Sequence, residues 1–383
     1  MKIKGYFYLN KYVKMFRLSL FLCLITSVFF AQEDNKITGK VKSVSEKIIY
    51  LKPLPKTENC LDCDPFSSYQ FGTYIIIDPK VYDSFFKNNW INSTFSTYKN
   101  SEKKFNTKGL KTSEVWFEPN KSIFYKYDYK YDDNDSITQI KKSGKNDEIF
   151  SIRNFFFSNK TLQTAANFTS DNSYSYRSYE YDSKNNLTQI KYYDENGYSH
   201  TNIYSYNSNN KLLEVNKHSP FKMEIDENNV KIMIKDSIGE TKVFKKQFYD
   251  IKNRLIETHT FNYDGQEKSK IEKTVFTYNK NDKIIEIRLV INDFQFFKIY
   301  EYNNEGEHSK IFVNHPNPND NLEYQYIYSD KIIIKSIIKR EKILNTLTFN
   351  YKFDKKGNWI QQTKSVDGKP LYIWKRKIEY YKE

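Results

Sequence analysis

The strongest constraint on this chain is a twelve-residue pattern that recurs along it. The clearest copy is YEYDSKNNLTQI, Tyr179–Ile190. Tyr179 and Tyr181 alternate, which puts both rings on one face of an extended strand, because strand side chains have period 2. Asp182 and Asn185-Asn186 then favour a tight reversal, since short polar side chains bond their own backbone and tolerate left-handed geometry. Leu187 and Ile190 begin the return strand. The pattern encodes a β-hairpin.

Further copies are YKYDDNDSITQI at Tyr129–Ile140, YSYNSNNKLLEV at Tyr204–Val215 and QFYDIKNRLIET at Gln247–Thr258. FTYNKNDKIIEI covers Phe276–Ile287, YEYNNEGEHSKI Tyr300–Ile311, YIYSDKIIIKSI Tyr326–Ile337 and YKFDKKGNWIQQ Tyr351–Gln362. The paired aromatics are predicted to fill the repeat core: Tyr129, Tyr131, Tyr179, Tyr181, Tyr204, Tyr206, Tyr249, Tyr278, Tyr300, Tyr302, Tyr326, Tyr328, Tyr351 and Phe353. From Tyr181 on, the third positions are separated by 25, 43, 29, 24, 26 and 25 residues. A period near 25 residues fits two strands and two turns, the second turns being DENG at Asp194–Gly197, NYDG at Asn262–Gly265 and VDGK at Val366–Lys369. The 43-residue gap is expected to hide a degenerate unit around Met223–Ile234, and FFFSNKTL, Phe155–Leu162, reads as a worn copy.

The expected fold is all-β: an antiparallel meander of repeated hairpins forming a curved or spiralling sheet, with a half-barrel as one form. One face of nearly every strand carries Lys or Glu, which argues against a lipid-facing barrel. Residues 116–383 are expected to form this repeat domain. Residues 32–115 lack the motif and read as an N-terminal region or cap of mixed strands, with near-helical spacing of apolar residues at Val81, Tyr82, Phe85, Phe86 and Trp90.

Residues 1–31 read as a signal peptide. Lys2, Lys4, Lys11, Lys14 and Arg17 precede the apolar run Leu18–Phe30, and Ala31 is followed by polar QEDN. Cleavage is expected after Ala31, with Met15 as an alternative start and an uncleaved anchor as the alternative fate; no membrane span is expected after cleavage. Cys23 sits in a poor lipobox. Losing the leader removes five basic and no acidic residues, so the net charge falls from +14 to +9. The remaining Lys are dispersed rather than clustered, so nucleic acid is not an expected partner; a glycan or an envelope protein is. The expected location is periplasmic or secreted, with outer-membrane association as a variant. Cys60 and Cys63 in NCLDCDP are read as a local disulfide in an oxidising compartment, with a redox pair or free thiols as alternatives.

The unit resembles the YD repeat, also called the Rhs repeat, on the strength of YEYDSKNNL, FYDIKNRL, YEYNNEGE and FDKKGNW. The ending FDKKGNWIQQTKSVDGKPLYIWKRKIEYY resembles that of short exported YD-repeat proteins of Bacteroidetes type. The resemblance implies strands of a long spiralling sheet and, for some members, carbohydrate binding. Most units here carry Asn or Asp where the family has a turn Gly, which survives at Gly306 and Gly357.

His200, His218, His259, His308 and His315 form no ligand spacing, and DDND at Asp132–Asp135 and NPNDN at Asn317–Asn321 read as turns rather than Ca²⁺ loops. No GxSxG, P-loop or dinucleotide fingerprint occurs. The expectation is a binding or structural repeat protein of the cell envelope without catalytic activity or cofactor, with carbohydrate as its ligand class. The alternatives are a carrier of a lipid or other hydrophobic ligand on a concave sheet face, and a hydrolase whose site is assembled from turns.

Overall fold

The computed structural model describes residues 37–51, 100–117, 121–225, 231–264, 267–291, 294–314 and 318–382. The expected signal peptide, Cys60 and Cys63, the segment 81–98 and His315 lie outside them. The described residues form an antiparallel meander of 22 strands with two short 3-10 turns, Lys145–Asp147 and Pro318–Asp320. Among them, no helix is long and apolar enough to cross a membrane. The chain divides into two units, one made of residues 1–100, 327–338 and 345–383, the other of 101–326 and 339–344.

The repeat is visible as a turn. In β8 (Tyr174–Tyr181) and β9 (Leu187–Asp194), the Asp182 amide donates to the Asn186 carbonyl, and the Asn185 amide to the Asp182 carbonyl. Asp182 Oδ1 accepts the Lys184 and Asn186 amides at 2.8 Å each, and Asn185 takes φ +62°. This is a three-residue loop with a left-handed third residue and a bulge just after the turn, where the Glu180–Gln189 and Tyr181–Leu187 pairs leave Thr188 as the extra residue. The same two backbone bonds recur in the turns that begin at Asn106, Asp132, Asn207, Asp250, Asn279, Asn303 and Asp354. Their left-handed residues are Gly109, Asp135, Asn210, Asn253, Asp282, Gly306 and Gly357. Asn and Asp replace Gly in so many units because their side chains make the left-handed region tolerable. The copy at Asn106 joins β2 (Asn100–Phe105) to β3 (Lys111–Phe117), so the repeat geometry begins upstream of residue 116. FFFSNKTL closes β6 (Ile149–Ser158) onto β7 (Thr161–Thr169) through a two-residue turn, Asn159 and Lys160 both having positive φ.

The 43-residue gap holds no hidden unit. It is filled by a single long hairpin, β11 (Leu212–Ile225) and β12 (Lys231–Tyr249), whose pairing reaches Ile225 and Lys231 through two register shifts. The same strand number is present; the strands are longer. Gly239, at φ +68°, sits where an added Cβ would lie 2.6 Å from the Ser219 carbonyl, so the irregular register there depends on glycine.

Tyrosines tie neighbouring hairpins together. The hydroxyls of Tyr131, Tyr181, Tyr206, Tyr249, Tyr278 and Tyr302 donate to the carbonyls of Lys111, Leu162, Leu187, Leu212, Leu255 and Ile284, at 2.6–2.9 Å. Each acceptor stands just after the preceding turn. Tyr206 shows why: its ladder with β9 ends at the Ile203–Gln189 pair, so the hydroxyl reaches the Leu187 carbonyl beyond it. Removing one hydroxyl, as in Tyr302→Phe, is expected to cost about 1 kcal/mol in urea unfolding. Most of the core of the larger unit lies on this face, with Ile287, Leu289, Phe296, Tyr300 and Ile311 buried.

In the smaller unit, β1 (Val41–Tyr50) pairs antiparallel with β22 (Lys369–Tyr380), from Val41–Tyr380 to Tyr50–Tyr372. β22 also pairs with β21 (Trp359–Val366). The half-barrel or open sheet expected from sequence is therefore corrected. Such a sheet would end at β22 in a row of unpaired backbone groups, and β1 takes up that row. The last repeat turn holds the entry to β1. The Thr38 amide donates to Asn358 Oδ1 at 2.7 Å, and Asn358 Nδ2 donates to the Thr38 carbonyl at 2.9 Å.

Candidate functional site

In the larger unit, successive repeat turns touch along one rim. Asn186 Nδ2 meets Asn210 Oδ1 at 3.3 Å, Asn209 Nδ2 meets Asn253 Oδ1 at 2.8 Å, and Arg254 Nη1 meets Asp282 Oδ1 at 2.5 Å. Lys283 Nζ donates to the Gly306 carbonyl. In two units the residue four beyond the turn Asp or Asn lies over the next tyrosine. Arg254 lies over the Tyr278 ring at 4.7 Å, and Lys283 over the Tyr302 ring at 4.9 Å. The equivalent residue before Tyr206 is Asn186, too short to lie across that ring in the same way.

A cleft of about 300 Å³ opens at that place. Its lining comes from the 182–186 and 207–210 turns and the strand ends beside them, and includes Asp182, Ser183, Lys184, Asn186, Thr188, Tyr204, Ser205, Tyr206, Asn207 and Asn210. Two half-buried phenol rings thus stand beside amides, hydroxyls and one ammonium. Asp182 is occupied by the turn itself. Oδ1 accepts two backbone N–H groups, and Oδ2 accepts Asn186 Nδ2 at 2.9 Å. The Asn186 side-chain bond, then its backbone N–H, holds this carboxyl below the usual carboxylate range, so it stays ionised and accepts only. Burial pushes the Tyr206 phenol above its ordinary pKa, so it stays a neutral donor.

Of the fourteen aromatics singled out from sequence, Tyr129, Tyr300 and Tyr326 are buried. Tyr131, Tyr179, Tyr181, Tyr204, Tyr206, Tyr249, Tyr278, Tyr302, Tyr328 and Tyr351 are half-buried, and Phe353 is 47% exposed. The structure brings Tyr204 and Tyr206 to the cleft. The polar lining was not singled out from sequence. Asp132 of DDND caps its own turn, accepting the Asn134 and Ser136 amides at 2.9 and 2.8 Å. Among the described residues no group of three or more His, Cys, Asp or Glu is placed to hold a metal ion. His200 stacks on Tyr192 with ring centroids 4.3 Å apart, and burial lowers its pKa to about 4.

No family model matches the chain, and no curated protein matches it. Among solved structures, it is similar to a chain of the crystal structure of TcdB2-TccC3-Cdc42, at 10% identity and a TM-score of 0.30 over 72% of this chain. The chain spans only 18% of that solved chain. It is also similar to a porin-like protein from Bacteroides uniformis ATCC 8492, at 10% identity and a TM-score of 0.20, over 88% of this chain and 98% of that one. A porin-like protein from Bacteroides vulgatus ATCC 8482 matches at 9% identity and a TM-score of 0.17, over 70% and 94% of the two chains.

Proposed function

We propose that this chain is an exported, YD-repeat-like binding module of the cell envelope, whose meander is closed at its C-terminal end by β1 and which takes a saccharide in the cleft beside Tyr206. The observation that carries this reading is the half-buried Tyr206 ring in a cleft lined by Asn186, Asn207, Asn210 and the serine hydroxyls. A sugar ring presents C–H groups to an aromatic face and hydroxyls to amides at its edge, and this cleft offers both. The role is binding rather than hydrolysis. Glycoside hydrolysis uses a pair of carboxyl groups. Asp182 is the single carboxylate in the lining, and the turn engages both its oxygens.

The test uses the repeat's own variation. Asn186→Arg places at this turn the residue type that covers Tyr278 in another unit. The variant is expected to fold as the wild type does by circular dichroism and to lose oligosaccharide binding on a glycan array. Unchanged binding by a folded Asn186→Arg chain would remove the cleft from the reading.

A further inference from the structure

The face opposite the tyrosine ladder carries ion pairs along most of the larger unit. Lys126–Asp128, Lys246–Glu214, Lys273–Glu257, Arg288–Glu286 and Lys310–Glu323 stand on it at 2.7–3.2 Å. Across β6 to β10 (Gly197–Tyr206) the character changes. Register places Ile152, Phe168 and Tyr174 in one cross-strand row. Asn154, Ala166, Tyr176, Tyr193 and Tyr198 form the next. Within β6–β10 neither row contains a charge, and Lys141 on the preceding strand stands opposite Ile152. Phe156 stands beside them, at the head of a third row that reaches the Lys191–Glu180 pair. Phe156 and Phe168 are 57% and 50% exposed, Tyr174 and Tyr176 are exposed as well, and strands β6–β9 contain no buried residue. The Tyr176, Tyr193 and Tyr198 rings follow one another at 5.4 and 5.6 Å.

The geometry points to a second binding surface: the aromatic rows of β6–β10 form a platform for an extended, uncharged polysaccharide. Three observations select that occupant. Within β6–β10 the rows lack charge on a face otherwise lined by ion pairs, so they offer a charged ligand no counter-ion and suit a neutral one. Four of the rings at the centre and edge are tyrosines, whose hydroxyls together with the Asn154 amide match a hydroxyl-rich ligand better than an aliphatic one. The area is small: two rows across five strands cover roughly 250 Å² at sheet spacings, against about 800 Å² per partner in a stable protein interface. The platform shares saccharide chemistry with the cleft reading but uses the other face of the sheet and other residues.

The full chain is run by affinity electrophoresis in gels containing soluble galactomannan, xyloglucan or mixed-linkage β-glucan. Retardation is expected in at least one gel, weakened about tenfold in apparent affinity by the double variant Phe168→Ser, Tyr176→Ser. Arg177→Ser, on the opposite face of β8, keeps the retardation. Near-UV circular dichroism confirms that each variant is folded. If Asn186→Arg abolishes retardation and the double variant does not, the polymer binds in the cleft and the platform is overturned. Absence of retardation in every gel overturns it too. So does sedimentation showing a self-association that the double variant abolishes in a chain that binds no polymer, which would make the patch an interface between copies.

Discussion

Replacing Arg376 by alanine is expected to destabilise the protein by about 3–5 kcal/mol, the cost of removing one partner from a buried ion pair. Arg376 donates from Nη2 and Nε to Glu46 Oε1 at 3.0 and 3.2 Å. The side chains are only 12% and 4% exposed, and the guanidinium lies over the Trp359 ring at 3.6 Å. Alanine deletes this cation and leaves the Glu46 carboxylate in the same low-dielectric place. The pair joins β1 to β22 at a directly opposed position, so amide exchange in β1 should accelerate before exchange elsewhere in the smaller unit. A control separates charge from packing. The double variant Glu46→Gln, Arg376→Met keeps most of the volume and removes both charges, and is expected to recover most of the loss. Urea midpoints equal for the single and double variants would show that packing on Trp359, not the lost ion pair, sets the cost.

This clasp shows where the sequence stops being readable. The hairpin turns were legible because each is local: an aromatic, an Asp or Asn whose Oδ1 accepts amides two and four residues on, and a residue able to take positive φ. The tyrosine at the end of each outgoing strand was legible as an aromatic, but its hydroxyl's acceptor was not, because that acceptor belongs to the preceding hairpin. The long gap was misread because period alone cannot distinguish an extra unit from longer strands, and β11 and β12 simply extend. The pairing of β1 with β22 has no motif at all. VKSVSEKIIY alternates as many strands do, and its partner is fixed by distant residues such as Asn358. The aromatic platform is hidden for a related reason: Phe168, Tyr176, Tyr193 and Tyr198 have no common spacing in sequence and come together only through register. The cleft is hidden in the same way, since Tyr206 meets the 182–186 turn only because its hydroxyl reaches back to the preceding hairpin.

The second large effect concerns Lys364 and pH. It is fully buried, 0% exposed, with its ammonium 5.9 Å from the Phe349 ring and 5.8 Å from that of Tyr372. Burial pushes its pKa down from 10.5 to about 7. Below about pH 7 the group is protonated in folded and unfolded chains alike, and burial makes the charge less favourable in the folded state than in water. Between about 7 and 10.5 the unfolded chain keeps a proton that the folded chain has released, so this group makes folding more favourable as pH rises, by about 1.4 kcal/mol per pH unit. Lys364→Met removes the titration while keeping an unbranched side chain among the rings. At pH 6 the variant is expected to be the more stable protein in urea unfolding. Its advantage should shrink by about 2–3 kcal/mol between pH 7 and 9, as the wild type sheds the proton. A stability difference that stays constant over that range would mean that Lys364 remains charged in the folded protein, held by the ring faces strongly enough to offset its burial.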